Sequence, residues 1–213
     1  MNTTFENKAG KSLIAFSMLI FITMILHPTG GSFKYIVRIS ELIIISHSLA
    51  LISLPFAIVG FWGLTQKIGK DNYLSIVAFV IVLFAILAAF MAAITNGIVL
   101  PIYIQNFKDS PETILSSIKP IIKYNSTLNE AFDYIYSIAF CISIVLWSFT
   151  IIKTKKMPLW IGYTGLGMTF LFLIIVFAGI DPNSLQGLRL FFLFLVCWII
   201  LAGRGLMQTS VKL

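Results

Sequence analysis

Eight side chains able to carry chemistry or hold a ligand stand inside or at the edges of otherwise apolar stretches: His27, Arg38, Glu41, His47, Asn96, Asp133, Asp181 and Arg189. Ionisable groups set in such surroundings are costly enough to mark a functional site by default. Seven of them, His27, Arg38, Glu41, His47, Asn96, Asp181 and Arg189, form the candidate ligand-binding set. The two imidazoles suit a proton relay or a ligand contact. The plainer reading makes His47 a neutral ring hydrogen-bonded to a neighbouring helix and His27 a cap on a turn. Arg38 and Glu41 lie three residues apart, neighbours on a helix surface. They form either a rim ion pair worth about 0–1 kcal/mol or, with Asp181 and Arg189, a clamp for an anionic headgroup or carboxylate. Asp133 and Asp181 invite acid–base work, but their separation is not written in the sequence.

Other chemistries are disfavoured. A haem or metal shared by the histidines needs both rings at one depth. If the turn between the first two apolar runs centres near residue 31 or 32, the position level with His27 is about residue 36. His47 is then about 11 residues deeper, roughly 16 Å at 1.5 Å per residue. Only an inward fold of His27-Pro28-Thr29-Gly30-Gly31 would close that gap, so no metal or cofactor is expected. Ser46-His47-Ser48 is no nucleophile–base pair, because adjacent helical residues do not face each other. No phosphate-binding glycine loop is present.

The elements that must position these groups are six long apolar runs, roughly 12–28, 39–64, 73–100, 131–152, 159–179 and 187–207. About 20 helical residues cross roughly 30 Å of hydrocarbon. The chain of 213 residues is 59% hydrophobic and 11% charged, against about 25% charged in a soluble domain. The expected fold is all-α: one polytopic bundle of six transmembrane helices occupying residues 1–213. The polar start MNTTFENKAGK precedes a first run with no small-residue cleavage site, which reads as a retained span. Cys141 and Cys197 fall inside runs and read as small packing residues.

The net charge of +7 is distributed as a membrane protein distributes it. The N-terminus, the 65–72 and 153–158 loops and the C-terminus hold nine Lys and Arg against two acids, Lys212 among them. The opposite side holds six against six. The positive-inside rule therefore puts both termini in the cytoplasm. Trp62, Trp147, Trp160 and Trp198 fall toward that side, and Tyr35, Tyr103, Tyr124, Tyr134 and Tyr136 toward the other, as interfacial belts do. No loop has the clustered Lys and Arg that nucleic-acid binding requires.

Within the runs, Ala85, Ala88, Ala89, Ala92, Ala93, Asn96 and Gly97 form a small-residue ladder that lets another helix approach closely. That makes span 3 the expected central packing helix and a face for a protein partner or a second copy. Pro55 is expected to kink span 2. Phe191, Phe192 and Phe194 read as lipid-facing. In the 102–130 segment, Ser110-Pro111-Glu112 is a helix start, and Ile114, Leu115, Ile118, Ile121 and Ile122 share a face interrupted by Pro120. A short amphipathic extracytoplasmic helix between spans 3 and 4 is expected, on the surface or folded as a lid. Spans 1–3 and 4–6 show no shared pattern of the kind inverted-repeat transporters carry.

The patterns His27-Pro28-Thr29-Gly30-Gly31, His47-Ser48-Leu49-Ala50-Leu51 with Pro55, Gly60-Phe61-Trp62-Gly63-Leu64 and Asn96-Gly97-Ile98-Val99-Leu100-Pro101 resemble a group of small six-span bacterial inner-membrane proteins. Trp147 and Pro158-Leu159-Trp160-Ile161-Gly162 extend the likeness into spans 4 and 5. The resemblance implies a bacterial plasma membrane and a six-helix fold, and brings no activity. The expected function is binding or transport of a small amphiphile or membrane lipid in an outward-facing polar pocket. The alternatives are an accessory subunit of a membrane complex and a membrane-embedded redox or hydrolytic enzyme.

Overall fold

The computed structural model describes residues 3–28, 32–182 and 184–208. Thr29, Gly30 and Gly31 of the first turn, and Lys212, lie outside them. The helices are α1 (Thr3–Leu26), α2 (Phe33–Arg38), α3 (Ser40–Gly69), α4 (Tyr73–Ile94), a π-helical turn at Thr95–Val99, α5 (Leu100–Gln105), α6 (Glu112–Thr154), α7 (Leu159–Phe177) and α8 (Leu185–Met207). Six of the helical segments are long and apolar enough to cross a bilayer. The chain is a multi-pass membrane protein.

The caps are local. Asn72 accepts from the Ser75 N–H through its side chain at the start of α4, and Ser184 from the Gly187 N–H at the start of α8, each satisfying a donor the first turn leaves orphaned. The spans pack as a ring in chain order. α1 meets α3, α3 meets α4, α4 meets α6, α6 meets α7, α7 meets α8, and α8 closes on α1. α1, not span 3 alone, is therefore a principal packing helix. Its Gly10 faces Gly203 so closely that a Cβ at Gly10 would stand 2.5 Å from the Gly203 carbonyl oxygen.

Three expectations change. Trp147 and Trp198 are fully buried rather than interfacial. Trp147 stacks on Phe61 with ring centroids 5.0 Å apart, and Trp198 lies 6.2 Å from Trp147. Their indole N–H groups donate to Thr65 Oγ1 and to the Ile161 carbonyl, both at 3.2 Å, so neither needs the headgroup layer. Trp62 and Trp160 are exposed. Phe191 is buried instead of lipid-facing, because it joins an aromatic cluster with Tyr136, Phe172 and Phe192. The amphipathic helix expected as a separate piece is the start of α6, which continues through Pro120 for 43 residues. At 1.5 Å per residue that is about 64 Å, roughly twice the hydrocarbon thickness. α3 likewise runs unbroken through Pro55.

The small-residue ladder of α4 is covered within the chain: Ala85, Ala88 and Ala93 are buried. At the termini end of the bundle, Glu6 and Lys67 form a nearly buried ion pair at 2.5 Å between α1 and α3.

Candidate functional site

The half of the bundle away from both termini encloses a cavity of about 130 Å³ between α1, α3, α4, α6 and α8. One wall is apolar and largely aromatic, with Phe16, Leu54, Ile86, Phe140 and Phe192. The other is polar. Thr23 and His27 come from the end of α1, His47 from α3 and Asn96 from the π-helical turn. Asn129, Asp133 and Tyr136 come from one face of α6, at the three- and four-residue spacing that stacks side chains on a helix.

The two histidines meet here, contrary to the 16 Å separation expected: their ring centroids are 5.2 Å apart. The error lies in the path of the connection. α1 ends at Leu26, and residues 33–38 form the separate helix α2 rather than the top of a symmetric hairpin. α3 begins only at Ser40, so His47 is seven residues into it, about 10 Å below its start. α1 thus stops well short of the top of α3.

His47 is seated by an absence of side chain on the facing segment. A Cβ on Gly97 would overlap the Cβ and Cγ of His47. Gly97 sits in the π-helical turn, a local insertion that often accompanies functional sites. The turn delivers Asn96 to the cavity, and Asn96 Oδ1 accepts a 3.0 Å bond from Asn125 Nδ2, tying the long α6 to this turn.

Ring orientations follow from the backbone. The Nδ1 of His47 lies 2.8 Å from the Ile43 carbonyl oxygen, and that of His27 lies 3.1 Å from the Pro28 carbonyl oxygen. A carbonyl oxygen only accepts, so each Nδ1 carries the hydrogen and each neutral ring keeps Nε2 as an acceptor. Among the described residues neither Nε2 has a hydrogen-bond partner. Asn129 Nδ2 donates to Asp133 Oδ2 at 2.8 Å. Two buried hydroxyls at the cavity, Thr23 Oγ1 and Tyr136 OH, have no partner among the described residues. Such an orphan costs about 1–3 kcal/mol and in a native protein calls for an explanation in function or in an unseen partner.

Comparison with known proteins found no matching family model, no matching curated protein and no matching solved structure. The geometry therefore carries the functional argument alone.

Of the candidate residues, His27, His47 and Asn96 share the cavity, and the other four stand apart from its lining. Arg38 and Glu41 are exposed. Instead of pairing with Glu41, Arg38 lies over the Tyr35 ring, 5.4 Å from its centroid. Asp181 is exposed in the loop before α8. Arg189 lines a separate lipid-facing groove between α1 and α8, on the other side of Met24 and Phe192, which border both spaces. Asp133 belongs to the cavity, although it stands outside the seven candidates; its helical spacing from Asn129, just before the fourth run, and from Tyr136 within it was the available signal. Thr23 and Tyr136 had no distinguishing pattern. Among the described residues, no three His, Cys, Asp or Glu side chains are arranged to hold a metal ion. Cys141 and Cys197 are free thiols.

Proposed function

We propose that this protein binds or transports a small amphiphile, membrane lipids included, in the histidine cavity. The observation that carries the reading is that one largely apolar, aromatic cavity also holds His27, His47, Asn96 and Asp133. Ligand sites combine those features, a mostly apolar concavity with a few placed polar groups. The charge count puts both termini in the cytoplasm, so the cavity faces the outer side. The resemblance to six-span bacterial proteins supports a bacterial inner membrane.

Two experiments test this. Protein purified in mild detergent is extracted and its lipids and amphiphiles identified by mass spectrometry, beside an Ala92→Leu variant that fills the cavity. One molecular class enriched over the bulk membrane, and lost in the variant, is the expected result. Identical profiles that match the bulk membrane would remove the proposal. For orientation, a Tyr124→Cys variant in a background without Cys141 and Cys197 is treated with a membrane-impermeant maleimide. Tyr124 is 69% exposed on α6, so labelling of intact cells is expected. Labelling only after lysis would reverse the topology and point the cavity inward.

A further inference from the structure

The cavity lining holds one carboxyl group and no Lys or Arg, and from that charge pattern we infer that its ligand carries a protonated amine on a small apolar body. The inference rests on the binding function proposed above and specifies the ligand's class. Two bare imidazole acceptors, His27 Nε2 and His47 Nε2, face the space with the Asp133 carboxylate, of which only Oδ2 is engaged. Asn96 and Asn129 add amide N–H donors. No Lys or Arg lines the cavity; Arg189 faces the groove beyond Met24 and Phe192, and its charge is felt at His27.

A group bringing several N–H donors can meet the imidazoles and the carboxyl together, while a carboxylate or phosphate head, although Asn96 and Asn129 could donate to it, would set like charge against Asp133. Charge selects further. Asp133 is the one acidic side chain in the lining, and once it pairs with a cation the hydrogen bond between ionised partners is about twice as strong as a neutral one. The aromatic wall offers ring faces that attract a cation. Size guides the choice of probe: a dry cavity of about 150 Å³ takes up benzene, so about 130 Å³ has room for a single ring or a short branched chain beside the head.

Benzylamine, benzyl alcohol and benzoate are therefore the probes, since they share a ring and differ in the head. Each is titrated against the purified full chain in detergent by ligand-observed saturation-transfer NMR, with Asp133→Asn and Ala92→Leu in parallel. Benzylamine is expected to bind at least tenfold tighter than benzyl alcohol, and benzoate to give no saturable signal. Asp133→Asn should lower the benzylamine affinity tenfold or more while changing that of benzyl alcohol less than threefold. Equal affinities for amine and alcohol in the unmodified protein would overturn the amine assignment while leaving the cavity a binding site. So would tightest binding of benzoate, or an Asp133→Asn variant that keeps its amine affinity. Failure of all three probes to saturate, or binding that Ala92→Leu does not touch, would overturn both the assignment and the function beneath it. The comparison of probes on the unmodified chain decides the matter even if a variant fails to fold.

Discussion

Gly97→Ala asks whether the histidine is held by the π-helical turn. The added methyl would overlap both Cβ and Cγ of His47. The Cβ of His47 is fixed by the α3 backbone, so rotating the ring relieves only the Cγ part of the clash. α3 and the turn must move apart, and His47 leaves its rotamer as well if the ring is to escape. Overpacking of this kind costs about 1–3 kcal/mol. Losing the 2.8 Å bond from His47 Nδ1 to the Ile43 carbonyl adds about 0.5–1.5 kcal/mol. The sum, about 2–4 kcal/mol, corresponds to a fall in melting temperature of about 4–16 °C for a chain of this size. The assay is thermal unfolding in detergent followed by size-exclusion fluorescence. Gly167→Ala is the matched control. A Cβ there meets nothing within 4 Å, and alanine improves helix propensity by up to about 1 kcal/mol, so its melting temperature should hold or rise. If Gly97→Ala melts with Gly167→Ala, the turn does not clamp the histidine and the cavity's polar end is not pre-organised as described.

Three further outcomes follow from the packing. Glu6→Met removes the carboxylate from the Glu6–Lys67 pair, a site about a tenth exposed, and stability should fall by about 3 kcal/mol. The double variant Glu6→Met with Lys67→Met should recover most of that loss, because removing one partner of a nearly buried pair costs more than replacing both; a double variant as unstable as the single would refute this. Thr65→Val keeps the shape but strands the Trp147 indole N–H. An expected loss of about 1–3 kcal/mol is checked by thermal unfolding, and the tryptophan emission should shift as the stacked ring is perturbed. Ala89→Leu, on the cavity wall, should leave the melting temperature within a few degrees while abolishing ligand uptake; a drop as large as that of Gly97→Ala would mean the wall has no room to give.

The spans were legible because a bilayer demands long apolar helices whatever their partners, and composition alone states that demand. The core aromatics were less so. Trp147 and Trp198 occupy the same place in the sequence whether they sit at a headgroup or inside a bundle. What separates the cases is an acceptor supplied by another helix, Thr65 for one and Ile161 for the other. Glu6 looked like part of a polar flank, yet the first helix starts at Thr3 and carries it against Lys67, 61 residues away.

The histidine site shows the same limit more sharply. Its residues were singled out by chemistry, and their meeting was denied by an assumed symmetric hairpin. Two local departures from regularity bring them together. A short helix, Phe33–Arg38, interrupts the connection so that chain length no longer measures depth, and a π-helical turn adds a residue where α4 reaches His47. Hydrophobic periodicity is blind to both, because neither changes how apolar the run is. A π-helical turn sacrifices regular hydrogen bonding, and two buried hydroxyls without partners sacrifice more. Bundles that only need to stand in a membrane gain nothing by either. Their coincidence in one cavity, beside the only two histidines in the chain, is what supports the proposed binding site there rather than at the charged rim where Arg38, Glu41 and Asp181 stand.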